Sequence, residues 1–126
     1  MVRLPTARIL VIDDNRAVVD LLVARLAEEG HSVSSALTSD EGLKLVASLH
    51  PDLVLLDLAL PDMSGLEVLK RIRVLDPSIR VIMVTANTDA QRAREALEIG
   101  AVAYVDKPFD AAYLKRVVAM ALREGF

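Results

Sequence analysis

At 126 residues the chain has the length of one domain, with a core to bury and no room for a second module of similar size. Its net charge of −3 comes from acids and bases mixed along the sequence, which leaves no basic stripe for nucleic acid and no polybasic cluster for anionic lipid. Cysteine is absent, excluding disulfides, thiolate metal sites and cysteine nucleophiles, and 2 Tyr with 2 Phe offer few platforms for stacking on bases or sugars. Met1–Arg8, with Pro5, is too short and too soon followed by Asp13 to read as a signal peptide or membrane span, so the expected compartment is the cytoplasm.

In chain order, Arg8–Asp13 reads as a strand and Asn15–Glu29 as a helix. That helix has an expected apolar stripe at Val18, Leu21, Leu22 and Leu26 and is closed by Gly30. His31–Ala36 is a more polar strand, as suits a sheet edge. Thr38 and Glu41 form a capping-box pattern for a helix through Leu49, which Pro51 ends. Leu53–Asp57 is the third strand and Leu58–Met63 a loop. Ser64 and Glu67 are a second capping-box pair, opening a helix with Leu66, Leu69, Ile72 and Arg73 ahead of Pro77. Arg80–Thr85 is a strand, Asp89–Ile99 a helix ended by Gly100, and Val102–Asp106 the last strand. Asp110 caps a final helix whose Leu114, Val117, Val118 and Ala121 share one face, and Arg123–Phe126 reads as a frayed tail or the edge of a longer chain.

Strand and helix thus alternate five times with short connections. Short apolar runs rich in branched side chains read as buried parallel strands, and parallel strands need right-handed helical crossovers. The expected fold is α/β: a flavodoxin-like doubly wound (βα)5 unit with a five-stranded parallel sheet in the order 2-1-3-4-5, covering residues 1–126 as one domain with its core at about 8–122. In that order the first and third strands are neighbours at the switch point, where ligands bind outside the carboxyl ends.

Three of the apolar runs stop on charge. Ile9–Ile12 ends at Asp13 and Asp14, Leu53–Leu56 at Asp57, and Val102–Val105 at Asp106 and Lys107. Singly, Asp13 and Asp14 read as caps of the first helix, Thr85 and Tyr104 as packing residues, and Lys107 as a solvated strand end. Asp57 resists such a reading, because a carboxylate after four apolar residues needs a partner or water, and Pro61 and Ser64 come too late to supply one. Taken together, acids, a hydroxyl and a lysine collect at the carboxyl ends of strands one, three, four and five. Clustered carboxylates raise at least one pKa unless a cation sits among them, and oxygen donors without histidine or cysteine point to Mg²⁺. His31 and His50 read as surface residues beside turns, away from this mouth.

The residues Asp13-Asp14, Asp57, Pro61-Asp62-Met63-Ser64-Gly65, Thr85-Ala86 and Lys107-Pro108-Phe109 resemble the receiver domain of two-component response regulators, related to the chemotaxis receiver. The resemblance runs from Arg8 to about Leu122. It implies a phosphorylation-activated signalling switch with Asp57 as phosphoacceptor. Asp14, Asp57 and the backbone carbonyl of Ala59 are implied as direct Mg²⁺ ligands, and Asp13 as a ligand through water. Thr85 is implied as the hydroxyl that bonds the phosphoryl group, Lys107 as its counter-charge, Tyr104 as the aromatic switch residue and Lys107-Pro108 as a cis peptide. The implied donor is a histidine kinase or histidine phosphotransfer protein, and the implied recipient an output protein or fused effector domain. No direct nucleic-acid contact and no membrane contact are expected of this unit. The resemblance implies a unit that is not an enzyme in the ordinary sense, catalysing only its own phosphorylation and dephosphorylation. Ala59 and Asn87 stand beside the expected phosphoryl position and bear on the lifetime of the modified state.

Two other classes compete. One is an Mg²⁺-dependent aspartate-nucleophile phosphatase, whose motif places an acid two residues after the nucleophile, where this chain has Ala59. The other is a pseudo-receiver that binds partners without phosphorylation, which would usually lack Asp13, Asp57 or Lys107.

Overall fold

Alternating apolar runs and amphipathic stretches form ten elements in a computed structural model that describes residues 6–86 and 90–123. In order they are β1 (Arg8–Ile12), α1 (Arg16–Glu28), β2 (Ser32–Ala36), α2 (Ser39–Leu49), β3 (Leu53–Leu56), α3 (Gly65–Leu75), β4 (Arg80–Ala86), α4 (Ala90–Ile99), β5 (Ala103–Lys107) and α5 (Ala111–Arg123). The five strands are parallel and ordered β2-β1-β3-β4-β5, the expected flavodoxin-like arrangement. Pro5, Asn87, Asp89 and Phe126 lie outside the described residues, and so do the expected helix start at Asp89 and the end of the 123–126 tail.

The sheet buries both faces, which explains why β1 and β3 are continuous apolar runs. Ile9, Val11, Leu53, Leu55, Ile82, Val84 and Val105 meet α1 and α5 on one side. Leu10, Ile12, Val54, Leu56, Val81, Met83 and half-buried Tyr104 meet α2, α3 and α4 on the other. Strand alternation therefore assigns each residue to a face.

Helix ends follow local chemistry. Thr38 Oγ1 accepts from the Glu41 N–H at 3.2 Å and Ser64 Oγ from the Glu67 N–H at 3.3 Å. Asp110 Oδ1 accepts from the Ala112 and Tyr113 amides at 2.7 and 3.3 Å. Gly30 and Gly100, past the ends of α1 and α4, adopt φ of 89° and 132°, which a side chain would strain.

Three local expectations need correction. The buried line of α1 is Val19, Leu22 and Leu26, whereas Leu21 is 42% exposed. The i, i+3, i+7 spacing puts the buried residues on one stripe, and Leu21 lies one residue, or about 100°, off Leu22. Asn15 caps α1, accepting from the Ala17 and Val18 amides at 3.0 and 3.3 Å, so Asp13 and Asp14 are released from that task. His31 is half-buried, its Nδ1 accepting the Ala7 N–H at 3.0 Å, and burial pushes its pKa down. His50 is exposed, as read from the sequence.

Candidate functional site

The mouth of the sheet is built by alternation. Asp13 lies two residues past Val11, Asp57 two past Leu55, and Lys107 two past Val105, so all three continue the rows that face α1 and α5. The ladder extends beyond the strands to hold them, with the Asp13 N–H donating to the Ala36 carbonyl at 3.1 Å and the Asp57 N–H to the Ile12 carbonyl at 3.0 Å. Residues separated by 94 positions are thereby brought together: Lys107 Nζ donates to Asp13 Oδ2 at 2.6 Å. The same ammonium stands 3.4 Å from Asp57 Oδ2.

Asp13 and Asp57 are 2% and 6% exposed, and Asp14 is exposed at the rim. Each of the three offers a carboxylate oxygen within 4.8 Å of the others. One lysine thus contacts two of three clustered acids, and the local balance is negative. The Asp13 carboxyl is raised above its ordinary pKa of 3.8, first by burial. Its bonds to Lys107 and to the Asn15 N–H oppose that rise, and the neighbouring Asp57 charge adds to it. The sequence-based expectation of a raised carboxylate holds, but desolvation outweighs the mutual repulsion that motivated it. The all-oxygen donor set, its close spacing and its unbalanced negative charge fit a hard divalent cation such as Mg²⁺.

The loop after β3 shapes the rim. Ala59 is exposed and its N–H donates to Asp57 Oδ1 at 3.4 Å, while the Gly65 N–H donates to the Leu58 carbonyl at 2.8 Å. A Cβ at Gly65 would collide with the Asp57 carbonyl oxygen, so the close return of α3 onto the Asp57 backbone requires glycine. The Lys107-Pro108 peptide bond is cis.

Thr85 and Tyr104 lie on the opposite face. Met83 pairs with Tyr104 across β4 and β5, and Thr85, 4% exposed, lies two residues past Met83 at the carboxyl end of β4. Alternation makes Thr85 and Tyr104 diagonal neighbours on the side of α2, α3 and α4. Asp106 is exposed and outside the carboxylate cluster.

One contact escaped the sequence reading. Asp62 fastens the loop to the start of α2, accepting the Ser39 and Asp40 N–H groups at 2.9 Å each. These bonds hold the Asp62 carboxyl below its ordinary pKa, with the Ser39 amide the largest cause. Their sequence separation exceeds twenty residues, so no local pattern announces them.

Residues 9–119 match the response regulator receiver domain family. The chain is 40% identical over 103 residues to sporulation initiation phosphotransferase F of Bacillus subtilis, covering 82% of this chain and 83% of that protein. It is 37% identical over 118 residues to the transcriptional regulatory protein DltR of Streptococcus agalactiae, covering 94% of this chain but 53% of that protein, so the chain spans about half of that relative. A CheY-like response regulator receiver domain protein from Methanospirillum hungatei superposes with a TM-score of 0.91 at 35% identity, over 95% of this chain and 96% of that structure.

Proposed function

The chain belongs to the response regulator receiver domain family, and on that premise we propose that it is a phosphorylation-activated switch whose phosphoacceptor is Asp57. Receivers of this family are signalling switches that act with kinases and effector domains and bind Mg²⁺ at an acidic cluster. The observation that carries the assignment is the Asp57 carboxylate, buried at the end of β3 with Lys107 Nζ 3.4 Å from it and two further carboxylates beside it.

On this reading Asp14, Asp57 and the Ala59 carbonyl hold Mg²⁺, with Asp13 acting through water. The ion, when bound, supplies positive charge to the phosphoryl oxygens. An Asp57 carboxylate oxygen forms the new bond to phosphorus as the bond to the donor imidazole nitrogen breaks; that nitrogen keeps the electron pair and takes up a proton. Lys107 is held by Asp13 within reach of Asp57, so its ammonium is positioned for the charge that develops on transfer. Attack of water later returns the carboxylate and inorganic phosphate. The chain turns over no other substrate, and exposed Ala59, two residues past Asp57, borders the path of that water.

The acyl phosphate adds charge and acceptor oxygens at the mouth, to which the Thr85 hydroxyl moves. The diagonal neighbour Tyr104 then follows, carrying the change toward α4, β5 and α5. Residues 1–126 form one receiver unit, with 8–122 as its core. Its donor is a histidine kinase or phosphotransfer protein in the cytoplasm, and its output is a separate protein or fused effector. Contact with nucleic acid belongs to that effector; the Streptococcus relative, a transcriptional regulatory protein, has about half of its length beyond the part this chain matches. Among the described residues no helix is long and apolar enough to cross a membrane.

Ala59 in place of a second acid argues against a phosphatase, and the convergence of Asp13, Asp57 and Lys107 argues against a binding-only relative. The test is intact mass after incubation with a small phosphodonor and Mg²⁺. One phosphoryl adduct is expected on the parent and none on Asp57→Asn. A folded, Mg²⁺-binding parent that takes no phosphoryl group would transfer the assignment to a binding-only relative.

A further inference from the structure

The loop that follows Asp57 is fastened at two points. At one, the Gly65 N–H donates to the Leu58 carbonyl at 2.8 Å. At the other, Asp62 spans the start of α2, with Oδ1 accepting from the Ser39 N–H and Oδ2 from the Asp40 N–H, both at 2.9 Å. The buried Ser39 hydroxyl reinforces this second point by donating to the Met63 carbonyl at 2.8 Å. Only Ala59, Leu60 and Pro61 lie between the fastenings.

The clamp is not needed merely to cap α2. Thr38 already caps that helix through the Glu41 N–H at 3.2 Å. Asp62 adds a charged acceptor from another segment to two further amides at the positive end of the helix dipole. Its sequence position gives the contact its meaning, because anchoring residue 62 restrains the short stretch that includes the Ala59 carbonyl.

We propose that Asp62 is a positioning residue for the metal site, holding the Ala59 carbonyl in place through its clamp on Ser39 and Asp40. The inference rests on the reading of Asp57 and its neighbours as an Mg²⁺-dependent phosphoacceptor site. A carbonyl ligand on an untethered loop must be ordered when the ion binds, and that cost weakens binding; a tethered one is already ordered. Groups that orient ligands from behind commonly change metal affinity by about 10–100-fold when removed. The effect falls on Mg²⁺ affinity and leaves the Lys107 contacts with Asp13 and Asp57 in place.

The test is calorimetric titration of the whole chain with Mg²⁺, comparing the parent with Asp62→Ala, Asp62→Asn, Thr38→Ala and Asp13→Ala. Asp62→Ala is expected to weaken Mg²⁺ binding about tenfold. Asp62→Asn, which keeps one acceptor oxygen, should fall between it and the parent, and serves as the readout if the alanine variant does not fold. Thr38→Ala loosens the same helix end without touching the loop, so it should lower Tm while leaving Mg²⁺ affinity unchanged. Raising Mg²⁺ to saturation should restore the rate of phosphoryl uptake in the Asp62 variants. Unchanged Mg²⁺ affinity in both Asp62 variants, or an equal loss in Thr38→Ala, would overturn the positioning role. A parent that binds no Mg²⁺, or binds it as well with Asp13→Ala, would instead overturn the reading of the site and this inference with it.

Discussion

Two kinds of ion pair occur in this molecule, and they differ more in surroundings than in length. Lys44 and Asp40 on α2 approach to 3.1 Å with side chains 76% and 73% exposed, while Lys107 and Asp13 approach to 2.6 Å with side chains 19% and 2% exposed. The α2 pair is one turn apart in a favourable order, is satisfied one to one, and contributes about 0.3–0.5 kcal/mol. At the mouth one ammonium faces Asp13 and Asp57 together, with Asp14 at the rim. Burial makes that imbalance expensive, since removing charges from water is offset only by good partners. The surface pair is a complete arrangement, whereas the mouth stands ready to receive more positive charge and then a phosphoryl group.

The sharpest way to break this comparison is to remove the shared cation. Lys107→Ala should slow phosphoryl uptake on Asp57 about 10²–10³-fold, the usual effect of deleting one preorganised electrostatic group. A time course of intact mass reads this directly, and a rate equal to the parent would make Lys107 no more than a structural counter-ion.

The next prediction concerns stability. Millimolar Mg²⁺ should raise Tm, since a ligand present at 100 times its dissociation constant stabilises the folded state by about 2.7 kcal/mol. Asp13→Ala should lose most of that gain and Lys44→Ala none of it. Equal gains in all three proteins, measured by calorimetric melting, would erase the distinction between mouth and surface.

The smallest effect sharpens the surface side. The Asp76 carboxyl is held below its ordinary pKa of 3.8, chiefly by the Ser78 hydroxyl at 2.6 Å and then by the Ser78 N–H. A carboxyl lowered in the folded state contributes stability above its unfolded pKa and loses it as pH falls through the folded value. Asp76→Asn should therefore melt slightly below the parent at neutral pH, and the gap should close on acidification past pH 3.8. A gap that persists at low pH would assign the effect to packing.

Much of this arrangement was legible before the structure, for a physical reason. Strand alternation and the 2-1-3-4-5 order propagate over long distances, so Asp13, Asp57 and Lys107 could be brought to one mouth from spacing alone. The same logic identified Leu114, Val117, Val118 and Ala121 as the buried face of α5. It failed where two stripes were available, as with Leu21 on α1, because a helix rich in aliphatic residues offers more than one apolar line. It failed also for Asp62, whose partners are amides, and every residue except proline carries one. The cap of α1 is Asn15, the residue after the two acids that, taken singly, could also have capped it.

The central sheet also acts as a partition. Asp13, Asp57 and Lys107 project from its α1 and α5 side, whereas Thr85 and Tyr104 sit on the side of α2, α3 and α4. On the proposed reading, the event is written on one side of the sheet and first sensed on the other, by Thr85 and Tyr104, before it spreads toward α4, β5 and α5. The crossing point is the carboxyl edge of the sheet, where Asp57 follows β3 and Thr85 stands near the end of the adjacent β4, so a message has only the gap between neighbouring strands to cross.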